Sequence, residues 1–194
     1  MRMIHFDFVQ KISMRSLFSV LAYYGLPIVF ALLSILFPSG EVYAKMGLAS
    51  MFVLAFLMFL KPMAILSKCQ KLMFLLQFRR QYGVIAFYLA LFHGAGLFVH
   101  YDLWDSDFLG NFSNHYFYGF VALLGMIILG ITSNNFSVRI LKKYWKQAHW
   151  LAYPTFIFTL LHAGLANGSL ALFSLVSGSY ALAKYFEWKK NASF

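Results

Sequence analysis

Long uninterrupted apolar runs constrain this 194-residue chain more than any other feature. The first of them, from Leu17 to Phe37, holds no charged side chain at all. A bilayer core about 30 Å thick asks for roughly 20 apolar residues in a helix, and six runs meet or approach that length. They cover residues 17–37, 44–61, 82–101, 115–133, 148–166 and 170–188. Hydrocarbon offers backbone N–H and C=O groups no partner, so such runs fold as helices. The expected fold is therefore all-α: a polytopic membrane helical bundle of six transmembrane helices, forming one domain over residues 1–194. The first run reads as a retained span, because no small-x-small cleavage site follows it. Its Pro27 is expected to rely on neighbouring helices for the carbonyl it leaves free. The sixth run completes a span only by continuing through Lys184, whose ammonium then snorkels outward. Composition agrees: 61% hydrophobic, 20% aromatic and 11% charged residues, with a mean hydropathy of +0.70, exclude the soluble enzyme classes.

The formal charge of +10 would suit a nucleic-acid binder, but the placement of the cations explains it otherwise. Arg2, Lys11 and Arg15 precede the first span. Lys61, Lys68, Lys71, Arg79 and Arg80 lie between the second and third, and Arg139, Lys142, Lys143 and Lys146 between the fourth and fifth. Lys184, Lys189 and Lys190 close the chain. Lys45 alone stands outside this alternation, and the third-to-fourth loop carries Asp102, Asp105 and Asp107 without a cation. Short loops rich in Lys and Arg stay cytoplasmic, so both termini are expected in the cytoplasm and the partner is a lipid bilayer, with no nucleic acid. The single cysteine, Cys69, forms no internal disulfide, and Cys-x-x-Cys-His is absent, which excludes covalently attached c-type haem.

Histidine inside a span is a functional signal by default. His93 lies about 16 Å along the third span and His162 about 21 Å along the fifth, which runs the same way. The two are expected at similar depth. Their surroundings match: Leu91-Phe92-His93-Gly94-Ala95-Gly96 against Leu160-Leu161-His162-Ala163-Gly164. Small residues leave room for a flat ring, and an imidazole from each helix on opposite faces of an iron is the arrangement of a b-type haem. His149 sits about 20 Å from His162 along the helix, a spacing that suits a second haem across the membrane. On an undistorted helix the two histidines would occupy different faces, with Pro154 between them as a point of rotation. The opposite ligand for a second haem is open, since the third span offers Arg79 and Arg80 where a histidine would be needed and His5 is a distant substitute. One haem is expected, and the second stays an alternative. His100 and His115 are expected at the interface, solvated or touching an acceptor. Tyr43, Tyr101, Trp104, Tyr116, Trp145, Trp150 and Trp188 are expected as belt anchors.

Arg79-Arg80-Gln81-Tyr82-Gly83, His93, Thr132-Ser133-Asn134, Trp145-x-x-x-His149-x-x-x-Tyr153 and His162 together resemble the ferric-reductase-like transmembrane domain. The resemblance covers about Leu60 to Trp188 and is similar to the MsrQ branch of small six-helix bacterial proteins. It implies a haem b-binding subunit of the bacterial inner membrane, with His93, His149 and His162 as metal ligands. It also implies FMN, whose phosphate Arg79 and Arg80 could meet. The implied partner is a periplasmic molybdopterin methionine-sulfoxide reductase subunit, which receives electrons carried across the membrane. Two imidazoles leave an iron no open position, so such a site carries electrons and is not a complete enzyme. No Gly-x-Gly-x-x-Gly occurs and no flavin or nicotinamide domain follows the sixth span, so electrons are expected from a separate cytoplasmic flavin reductase or from quinol. The alternatives are another acceptor within the ferric-reductase class and, from another class, a small proton or metal transporter.

Overall fold

The computed structural model describes residues 16–100, 114–167 and 170–192, and among these residues there is helix and no strand. Helix α1 runs Ser16–Leu36 and contains a π turn, Leu21–Gly25, just ahead of Pro27. Proline lacks the N–H for a helical bond and crowds the carbonyl one turn back. The wider turn, closed by the Leu26 N–H on the Leu21 carbonyl, makes that room within α1 itself.

Helix α2, Gly40–Ser67, is longer at both ends than the run 44–61. Ser39 caps it, its side chain accepting from the Val42 N–H at 3.3 Å, and the helix stops at Lys68, which adopts φ 53°. A short α3, Gln70–Leu75, and a 3-10 turn, Leu76–Phe78, lead into α4, Arg79–His100. Helix α5 spans His115–Thr132 and is capped by Asn114, which accepts from the Tyr116 N–H at 3.0 Å. Asn134 then caps α6, Asn135–Leu141, accepting from Ser137 N–H at 2.8 Å. After Lys142, at φ 47°, come α7, Lys143–Ala148, a 3-10 turn, His149–Leu151, and α8, Ala152–Ala166. Helix α9, Leu170–Ala192, continues through Lys184 and Trp188 as expected.

Four helical stretches among the described residues are long and apolar enough to cross a membrane: Ser16–Leu36, Gly40–Ser67, Gln70–His100 and His115–Thr132. The chain is a multi-pass membrane protein on that composition. Helices α2 and α4 pack along each other, as do α5 and α8; α4 meets α5, α9 lies against α2 and α8, and α1 lies along α4. The core between them is Met51, Leu54, Met58, Ala86, Met126, Phe156 and Leu160. Ser50 fastens α2 to α4 by donating to the Ala86 carbonyl at 2.8 Å. Close approach of α5 and α8 depends on Gly125, where a Cβ would collide with the Thr155 hydroxyl. Among the described residues one acid is buried: Glu187 of α9, 4% exposed, with carboxylate oxygens 3.2 Å from Lys61 Nζ and 2.8 Å from Lys184 Nζ. Lys190 Nζ donates to the Ile65 carbonyl beside it. The cations Arg2, Lys11 and Arg15, His5, and the acidic run Asp102, Asp105 and Asp107 lie outside the described residues.

Candidate functional site

Near one end of the bundle α4 and α8 bring two imidazoles together, edge toward ring. The ring centroids of His93 and His162 are 6.0 Å apart, with planes at 61°. His93 Nδ1 lies 2.8 Å from the backbone oxygen of Tyr43 on α2, and His162 Nδ1 lies 2.8 Å from the backbone oxygen of His115 on α5. A carbonyl only accepts, so each Nδ1 carries the proton and donates it. Each Nε2 is left with a lone pair. Both rings line a cavity of about 380 Å³ whose walls include Leu97, Phe98, Phe120 and Leu123, with Glu41 and Lys45 also in its lining. Glu41 and Lys45 pair with each other at 2.6 Å and are largely solvent-exposed.

The other predicted residues meet elsewhere. His149, Arg79 and Arg80 line a second, larger cavity of about 1390 Å³, toward the end of the bundle that carries Lys61, Lys146 and Lys184. Arg80 Nη1 donates to Asn135 Oδ1 at 2.6 Å, and its guanidinium stands 5.8 Å from the Trp145 ring centroid. Trp145 donates from Nε1 to the Thr132 carbonyl at 2.9 Å. Its ring lies against His149 with centroids 3.9 Å apart. His149 Nδ1 is 3.1 Å from the Trp145 carbonyl and Nε2 is 3.4 Å from Ser133 Oγ. Gln77 Nε2 and Gln81 Oε1 are buried polar atoms of this cavity without a hydrogen-bond partner. The structure thus joins His93 with His162, joins His149 with Arg79 and Arg80, and keeps the two sets in separate cavities. Between His149 and His162 the helix is reset by the 3-10 turn His149–Leu151, which precedes Pro154.

A metal–imidazole bond is about 2 Å, so the rings of two trans imidazoles have centroids about 6 Å apart. The observed separation fits that value. A planar macrocycle also needs an apolar slot with few polar groups, and the smaller cavity provides it. Its residues fit a b-type haem. Among the described residues no group of three or more His, Cys, Asp or Glu side chains could hold a bare metal ion.

Several participants were not singled out by sequence reasoning. Tyr43, expected as a belt anchor, has a buried side chain whose hydroxyl donates to the Ser34 carbonyl, and its own backbone carbonyl faces His93 Nδ1. His115, expected at the interface, also supplies the carbonyl for His162, and its ring stacks on that of His162 at 5.7 Å. Trp145, another expected anchor, faces inward on His149. Trp150 and Trp188 are exposed, Trp150 at the wall of the larger cavity. Gly47 and Gly119 each lie four residues after one of those carbonyls, on helices far from the histidines along the chain, where no local sequence signal marks them.

A bundle of apolar, membrane-crossing helices with two backbone-tethered imidazoles on an apolar slot places the chain among helical transmembrane proteins. The ferric reductase like transmembrane component pattern matches residues 43–160, and the chain belongs to that family. The match begins at Tyr43, ahead of the stretch where resemblance was expected, and ends two residues short of His162. A protein-methionine-sulfoxide reductase haem-binding subunit MsrQ of Agrobacterium fabrum is 34% identical over 105 residues, 50% of this chain and 47% of the relative. The MsrQ of Xanthomonas oryzae pv. oryzae is 31% identical over 159 residues, 79% of this chain and 71% of the relative. That of Brucella ovis is 33% identical over 95 residues. The chain thus spans about half the length of the Agrobacterium relative. No solved structure matches it.

Proposed function

We propose that this chain is a haem b-binding membrane subunit that carries electrons across the bacterial inner membrane, through six spans with both termini in the cytoplasm. The observation that carries the reading is the facing pair His93 and His162, 6.0 Å between centroids, each pinned through Nδ1. When bound, the haem supplies a reversible one-electron couple. The chain's residues hold both Nε2 lone pairs toward the slot, exclude water with Leu97, Phe98, Phe120 and Leu123, and leave no open coordination position for substrate. Lys45, the cation outside the alternation, offers its ammonium at the same slot to a carboxylate.

The larger cavity serves the donor side. Its volume has room for a second porphyrin or for FMN. His149 would ligate the former, while Arg79 and Arg80 would hold the phosphate of the latter. The basic run from Arg139 to Lys146 suits an acidic cytoplasmic flavin reductase, and quinol is the other donor. The names of the relatives support a periplasmic methionine-sulfoxide reductase subunit, of the molybdopterin type, as acceptor. Purified protein should be coloured, with a low-spin Soret band, and a pyridine haemochrome assay should give at least one haem per chain. His93→Ala or His162→Ala should abolish the band of the smaller cavity. A colourless wild type expressed with haem available, or unchanged spectra in both variants, sinks the reading. Bound flavin released on denaturation assigns the larger cavity to FMN; a second haem lost in His149→Ala assigns it to porphyrin.

A further inference from the structure

The two histidines are held in the same way by helices of different sequence. In α2 the carbonyl belongs to Tyr43 and the glycine four residues on is Gly47; in α5 they are His115 and Gly119. A helical carbonyl at position i accepts from the N–H at i+4, and its second lone pair stays available beside that residue. Any side chain at i+4 stands in the way. A Cβ on Gly47 would lie 2.6 Å from His93 Cε1 and Nδ1, and a Cβ on Gly119 would lie 2.8 Å from His162 Nδ1 and 2.9 Å from Cε1. Carbonyl and glycine therefore act as one device: the missing side chain is what lets the ring reach the lone pair. The same ring atoms face the same backbone positions in both cases, although Ala44-Lys45-Met46 and Tyr116-Phe117-Tyr118 between them share no residue.

We propose that α2 with α4 and α5 with α8 are two copies of one imidazole-holding unit, in which Tyr43 O with Gly47 and His115 O with Gly119 fix each ring's rotation and so tune the metal between them. The proposal rests on the haem reading given above. A donated Nδ1 proton makes the ring a stronger electron donor and favours the oxidised metal. Rotation sets the crossing of the ring planes, 61° here, and crossed planes give a low-spin ferric centre a strongly anisotropic EPR signal, whereas parallel planes give a rhombic one. These are positioning residues.

The test uses the full-length, haem-loaded protein. The wild type should show the anisotropic low-spin signal, a measurement that needs no variant to fold; a rhombic bis-imidazole signal overturns the proposal. Gly47→Ala and Gly119→Ala should each move the low-field EPR feature and raise the midpoint potential, in the same direction and to a similar extent. Gly178→Ala, at a helical position with open space around it, should move neither. Folded Gly47→Ala or Gly119→Ala protein that no longer retains haem also supports the device. Wild-type spectra and potentials in both variants overturn it, and a shift in only one overturns the claim of two equivalent copies. Absence of any bis-imidazole haem in the wild type fails the underlying reading instead, so the two failures are distinguishable.

Discussion

Lys45 sits between Tyr43 and Gly47 in sequence and lines, with Gly47, the cavity that holds His93 and His162. Its ammonium is largely exposed and already paired with Glu41, so its contribution to holding a carboxylate is modest in water. Lys45→Met is expected to speed haem loss a few-fold, measured by transfer to apomyoglobin, with Lys45→Arg close to wild type. Glu187 is the opposite case, a buried carboxylate bridging two lysines of which Lys61 belongs to another helix. Hydrogen bonds to charged groups contribute about 1.5–3 kcal/mol each, so Glu187→Ala should lower the melting temperature in detergent, and Glu187→Gln by less. In sequence Glu187 reads as one more charge at a helix end. Only the fold turns it inward, because the partner on α2 is far away along the chain.

Helices were legible wherever apolar length alone decides them, as in 17–37 and 115–133. Boundaries set by capping were less so: Ser39 and the left-handed Lys68 extend α2 well past 44–61. Turns that depend on packing were not legible at all. Pro27 signals a disturbance, but whether a π turn or a neighbouring helix absorbs it is decided by three-dimensional fit. The matched depth of His93 and His162 followed from counting rise per residue, whereas their holders lie 50 and 47 positions away and carry no local signature. The α5–α8 contact gives the sharpest element-scale expectation. Gly125→Ala forces a methyl onto the Thr155 hydroxyl and should destabilise by about 1–3 kcal/mol. Gly178→Ala, in a helix with nothing nearby, should be neutral or stabilising by about 0.5–1 kcal/mol. Fluorescence-detected melting in one detergent compares the two.

For the molecule as a whole, the alternation of basic and acidic connections predicts a defined orientation. A reporter active only in the cytoplasm should work when fused after Trp188, and one active only in the periplasm should work when inserted between Tyr101 and Gly110. The reverse pattern would overturn the proposed orientation. The motifs behind the family resemblance were read as a string, yet Arg79, Arg80, Gln81, Ser133, Asn134, Trp145, His149 and Tyr153 all line the larger cavity; a string cannot reveal that convergence. The smaller cavity holds His93 and His162. Met126, 4% exposed, borders both. Met126 is thus a wall common to the two cavities, its polarisable thioether linking the His93–His162 side of the bundle to the His149 side.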